Sequence, residues 1–132
     1  MIEADRHAIQ RICQDLGLPM GNSYTQDWAY ELPEEFRDEA AFYRYLSAYT
    51  INGYENNEKR LLVQLALDIA NDLLEQDNEV GQRAWNALAK TLRMSPGLHR
   101  DQLDYWAMPD EPLEDAFSLT PLARALREEL LA

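Results

Sequence analysis

Residues 56–76 read NNEKRLLVQLALDIANDLLEQ, and this stretch decides the fold class. Leu62, Leu65, Ala66, Ile69 and Leu73 recur at helical spacing, and Val63, Leu67, Ala70 and Leu74 widen the apolar surface beyond half the circumference. A helix that apolar needs neighbours on more than one side, so it belongs at the centre of a helical assembly. The remaining arc carries Gln64, Asp68, Asn71, Asp72 and Glu75 and is expected to be exposed and anionic. Asn56 or Asn57 is placed to cap the start.

Working outward, the N-terminal side holds two more helical patterns. Ile2 to Leu16 places Ile9, Ile12, Cys13 and Leu16 on one face, and Gly17 stops it before a loop over Leu18–Asn22. Asp27–Leu32 reads as irregular or a short turn of helix. Pro33 to about Tyr49 forms a second helix with Phe42, Tyr45, Leu46 and Tyr49 as its stripe and Tyr43 outside it; Asn52-Gly53 then breaks the chain. On the C-terminal side a helix runs from about Val80 to Arg93, with Ala84, Trp85, Leu88 and Leu92 inward and Arg83, Lys90 and Arg93 outward. Ser95-Pro96-Gly97 ends it, Leu98 to Ala107 makes a short helix, and a turn or two of helix falls between Pro112 and Phe117. Thr120 as N-cap and Pro121 at the first helical position open a last helix edged by Leu122, Leu126 and Leu130. Strand signals are almost absent. The pattern predicts an all-α protein, a single compact bundle of five to seven helices in one domain over residues 1–132.

The charge balance narrows the partners. Against 24 acidic residues stand 12 basic ones, a net charge of −12. Phosphate contacts and anionic membranes both need a basic patch, so direct nucleic-acid and membrane binding are disfavoured. The expected partner is a basic protein, although acidity also serves plain solubility. No apolar run approaches the roughly 20 residues that span a bilayer, and MIEADRHAIQ is charged throughout, so the cytoplasm is the expected compartment. The single cysteine, Cys13, excludes an internal disulfide framework and is expected to act as a small buried hydrophobe.

Catalytic signatures are missing from the sequence. It has no His-Glu-x-x-His, no Gly-x-Ser-x-Gly and no phosphate loop. Cys13 and His7 lie on different helix faces. Glu3 with His7, and His99 with Asp101 and Asp104, are loose candidate metal ligands, more simply read as solvated helix residues. No cofactor is expected. Asp68, Asp72 and Glu75 share a strip of one helix, downstream of Glu55-x-x-Glu58. Paired acids of this kind bind Mg²⁺ in all-helical nucleotide pyrophosphohydrolases, but Asp68-x-x-x-Asp72 departs from the spacing those enzymes use.

More informative are three acid-rich runs: Asp27–Glu39 with six acids and one base, Asp68–Glu79 with five and none, and Asp101–Asp115 with six and none. Tyr105, Trp106 and Met108 lie inside the last, where aromatics can anchor an interface that acids steer. The expected partner-binding residues are therefore Asp68, Asp72, Glu75, Asp101, Asp104, Tyr105, Trp106, Asp110, Glu111, Glu114 and Asp115. The simpler alternative is that Trp106 fills the core and the acids point outward. Tyr43, Tyr45, Tyr49 and Tyr54, if exposed, would make a homodimer face.

In size, acidity and helical character the whole chain resembles small acidic all-helical bacterial toxin-immunity proteins, including those of contact-dependent inhibition and secretion systems. The likeness is one of general character and assigns no family residue to this chain. It implies a non-enzymatic protein that docks tightly over a nuclease-like toxin, its carboxylates covering cationic substrate-binding residues. Two alternatives remain: a Mg²⁺-dependent nucleotide pyrophosphohydrolase using Glu55, Glu58, Asp68 and Asp72, and a nucleic-acid mimic that inhibits a DNA-binding protein.

Overall fold

A computed structural model describes residues 2–19 and 32–131. It is all-α: the described residues form six α-helices and two 3-10 turns, and none is in a strand. The helices are α1 (Ile2–Leu16), α2 (Glu39–Ile51), α3 (Asn56–Gln76), α4 (Asn78–Met94), α5 (Arg100–Ala107) and α6 (Thr120–Leu131). The 3-10 turns are Glu34–Phe36 and Leu113–Asp115. The chain's internal contacts gather into two compact units, Met1–Ile69 and Ala70–Ala132, so the division falls within α3. No helix is long and apolar enough to cross a membrane among the described residues. The loop expected over Leu18–Asn22 and the irregular stretch Asp27–Leu32 lie largely outside the described residues.

In the first unit, α1 buries Ile9, Ile12 and Cys13. Gly17 takes the left-handed conformation (φ 69°), and the Leu18 N–H reaches back to the Cys13 carbonyl at 3.0 Å. That bond closes the helix as a Schellman motif, with Leu18 and Cys13 both buried at the join. Arg44 donates to the Leu16 carbonyl at 2.5 Å, a cation at the negative end of the helix.

The second helix begins later than the sequence pattern predicts. Pro33 is extended (φ −58°, ψ 153°), and Glu34–Phe36 makes only one 3-10 turn. The helix starts at Glu39 because the Asp38 carboxylate caps it, accepting the Ala41 N–H at 2.8 Å. Phe42, Tyr45 and Tyr49 are buried as the stripe requires, while Leu46 is half-buried. The Tyr45 hydroxyl donates to the Phe36 carbonyl at 2.5 Å and holds the 3-10 turn.

Neither Asn56 nor Asn57 caps α3. The Glu55 carbonyl accepts the Lys59 N–H, which makes Glu55 the N-cap, and Glu58 Oε1 accepts the Glu55 N–H at 3.2 Å. This is the returning half of a capping box, formed by the acid three residues into the helix. Residues 65–71, about two turns, contain no exposed member. The apolar stripe is buried as read, and so are Asp68 and Asn71 on the arc expected to face water.

In the second unit, Asp77 caps α4 by accepting the Glu79 and Val80 N–H groups at 3.0 and 3.3 Å, so the helix opens two residues before the expected Val80. Ala84, Trp85, Leu88, Ala89 and Leu92 are buried, and Arg83, Lys90 and Arg93 are exposed. A turn over residues 96–99 delays α5 to Arg100. It ends at Met108, a left-handed C-cap (φ 44°). Both α5 and α4 pack on α6.

Thr120 is not the cap of α6. Leu119 fills that position, its carbonyl accepting the Ala123 N–H at 3.0 Å. The fully buried Thr120 hydroxyl instead donates to the Trp106 carbonyl at 2.8 Å and accepts the Phe117 N–H at 3.1 Å. Ala123 and Leu126 form the buried edge, with Leu122 and Leu130 half-buried.

Gly81 sits where α4 meets Leu74: a Cβ there would lie 2.6 Å from the Leu74 Cα, N and Cγ. Backbone cannot yield to that contact without separating the helices. Gly81→Ala is therefore expected to destabilise by about 1–3 kcal/mol despite its better helix propensity, read as a lower urea midpoint.

Candidate functional site

The acids of α3 are the first test of an anionic docking surface. Asp68 forms an ion pair with Arg37 in which the two side chains are 8% and 12% exposed. This Asp68 is buried, not displayed, because α3 is enclosed where it lies. Asn71 is also buried, and its Oδ1 accepts the Leu119 N–H at 2.9 Å, satisfying the donor that precedes α6. Asp72 is half-buried, and Glu75 is exposed with the Ser118 hydroxyl 3.5 Å away. The polar arc of this helix thus supplies partners for groups on other segments. Arg37, which the sequence reading passed over, had one signal: it is the sole base within Asp27–Glu39.

Upstream on the same helix, Glu58 is buried and takes Arg11 Nη1 at 2.8 Å. Arg11 also lies 4.9 Å over the Tyr54 ring, whose hydroxyl donates to Asp15 at 2.9 Å. Two of the four carboxylates in the Mg²⁺ scheme, Glu58 and Asp68, therefore hold arginines, while Glu55 is exposed. Among the described residues, no three His, Cys, Asp or Glu side chains gather to hold a metal ion. His99 is buried with Nδ1 2.8 Å from Gln102 Oε1, and Asp104 accepts Arg127 Nε at 2.8 Å, so these two candidate ligands are bonded within the protein. The Glu3 side chain lies outside the described residues, and His7 is exposed.

Cys13 is buried as expected, its thiol 3.7 Å from the Pro19 carbonyl and pushed up to about 11 by burial. The tyrosine face is not present. Tyr45, Tyr49 and Tyr54 are buried, and only Tyr43 of the four is exposed. Burial also pushes Tyr45 up to about 12.

The acid-only run Asp101–Asp115 is different. Asp101, Asp110, Glu111 and Glu114 are exposed, and within the same segment Tyr105 is 60% and Leu113 56% exposed. The side chain of Asp115 lies outside the described residues. Trp106 is buried, which corrects its place among the docking residues; its ring meets Phe117 at 4.6 Å and Tyr105 edge-on at 5.7 Å. Phe117 also lies 6.0 Å from Tyr105. The exposed tyrosine is therefore backed by two rings, geometries in which aromatic pairs attract. Arg124 of α6 donates to the Ala107, Met108 and Glu111 carbonyls at 2.7, 2.5 and 2.5 Å. Neither Arg124 nor Arg127 was singled out from sequence, although they lie three residues apart just after the acid-only run.

No family model, curated protein or solved structure matches the chain.

Removing Asp68 takes from Arg37 the carboxylate it faces in a pair largely shielded from water. Asp68→Ala is expected to cost about 3 kcal/mol or more, and Arg37→Met with Asp68→Leu to recover most of that, by urea denaturation of the three variants.

Both Cys13 and Tyr45 are raised, so their neutral forms favour the fold. That contribution is complete below pH 9.0, the ordinary thiol value, and is lost as pH rises toward about 11 and 12. Alkaline unfolding followed by helical signal is expected in that window, and Cys13→Ala is expected to move its onset upward.

Proposed function

We propose that the protein is an acidic binding module that takes a basic protein partner on residues 101–114. The observation that carries this reading is the exposure of Tyr105 and Leu113 in a segment whose charged side chains are all acidic. An apolar anchor ringed by one sign of charge is built to be covered by the opposite sign, because desolvating the anchor drives burial while the charges select the partner. Trp106 and Phe117 hold the Tyr105 ring beforehand, which lowers the ordering cost of binding. The surplus of acids, net −12, raises encounter rates with a cation by roughly ten-fold to a thousand-fold at low salt.

Within this reading the docking residues are Asp101, Tyr105, Asp110, Glu111, Leu113 and Glu114, with Trp106 as support beneath. Glu75 is exposed and contributes to the field; Asp68 does not. The partner class we favour is a nuclease-like bacterial toxin whose cationic substrate-binding residues the carboxylates would cover, with the protein as its immunity factor in the cytoplasm. Support for that finer identity is the acidity and the helical architecture. A nucleic-acid mimic differs from it in one outcome: DNA would compete for the same site on the partner.

A lysine- and arginine-rich peptide with a central leucine tests the surface. Three rim charges at about 0.5 kcal/mol each amount to roughly tenfold. Asp110→Asn, Glu111→Gln and Glu114→Gln together are expected to weaken binding by about that factor. Glu34→Gln, Glu35→Gln and Glu128→Gln, equally exposed and equal in charge change, are expected to matter far less. Equal losses from both triples would mean that net charge alone attracts the peptide and that no docking surface exists.

A further inference from the structure

We propose that Arg124 is the positioning residue of this surface, a cation that holds the anionic segment ready for a basic partner. The inference rests on the docking reading above. Its basis is the choice of acceptors. Arg127 and Arg93 pair with carboxylates, Asp104 and Glu129. Arg124 instead donates to three backbone carbonyls, those of Ala107, Met108 and Glu111. It therefore fixes the chain while Asp110, Glu111 and Glu114 stay exposed.

The place it grips needs fixing. Met108 is the one described non-glycine residue with positive φ, a conformation that costs an L-residue energy. Ala107 ends α5, where carbonyls lack intrahelical donors. The Glu111 N–H returns to the Met108 carbonyl at 3.0 Å, closing the turn that carries Asp110. Asp110, Glu111 and Glu114 are exposed and carry like charge within five residues, and repulsion among them alone would spread the turn. A planar guanidinium presents its donors from several nitrogens in a fixed fork. An ammonium has three donors, but on one nitrogen at the end of a flexible stem, and is less pre-organised for acceptors spread over three residues.

Charge and positioning predict opposite signs, which makes the inference testable. Arg124→Lys preserves the net charge, and Arg124→Gln makes the chain more negative by one. Electrostatics alone predicts unchanged binding for the first and tighter binding of a cationic peptide for the second. Positioning predicts weaker binding for both, by about five- to tenfold for the glutamine variant and less for the lysine variant. Arg127→Gln, the same charge change on the same helix, is expected to bind the peptide as tightly as the unaltered protein or more so. Cleavage after Glu114 by a glutamate-specific protease is expected to quicken in both Arg124 variants while the helical signal and melting curve persist; the bond after Glu111 precedes Pro112 and is not a substrate. An Arg124→Gln protein that binds as well as the original overturns the inference. So does faster cleavage with unchanged affinity, which would make Arg124 structural only. If the unaltered protein and the Asp110/Glu111/Glu114 triple variant bind the peptide alike, the docking reading itself fails and this inference falls with it.

Discussion

Enclosing α3 is the constraint from which the rest of the architecture follows. An apolar helix surface wider than half the circumference cannot be left in water, and residues 65–71 are buried on every side. Enclosure then forces a second condition. Polar side chains on the remaining arc enter the interior with the apolar ones and must be bonded there. Glu58 meets Arg11 and Asp68 meets Arg37 in the first unit, and Asn71 meets the Leu119 N–H in the second. Each bond ties the helix to a segment far along the chain.

This changes how the acidity should be read. A net charge of −12 does not distribute itself as display. Asp38 and Asp77 cap helices, and Glu58 closes a capping box as well as holding Arg11. Acids near helix starts are favoured by the backbone dipole and need no partner protein to explain them. Exposed acids that do no such work are spread over several segments, Glu34, Glu35, Glu75 and Glu128 among them. The stretch around α5 and the turn that follows it is distinguished by apolar side chains exposed beside the acids. There the carboxylates are outward while the aromatic rings beneath them are packed.

Arginines organise both units: some pair with carboxylates, as Arg11, Arg37 and Arg127 do, and two serve helix ends. Arg44 closes the C-terminal end of α1 through the Leu16 carbonyl, and Arg124 closes that of α5. A guanidinium suits this work because it carries several donors in one plane and keeps its charge at any ordinary pH. In a chain with twice as many acids as bases, each base so placed bonds backbone carbonyls and leaves the acid side chains near it without that ion pair.

Periodicity along the chain was sufficient for the all-helical class, the buried stripes of α1, α2, α3 and α4, the Gly17 stop, and the outward basic face of α4. Each of these rests on residues within a turn or two of one another, so the local pattern contains the whole cause. The acid run around Tyr105 was legible too, as composition. Tertiary structure decided what lay across gaps of 13 to 31 residues: that Asp68 faces Arg37 rather than water, that the Thr120 hydroxyl goes to Trp106 instead of capping its own helix, and that Arg124 takes carbonyls at the end of α5 and in the turn after it. A polar residue on a helix arc looks the same in sequence whether solvent or another segment covers it. Which one does depends on packing against parts of the chain that no local spacing encodes.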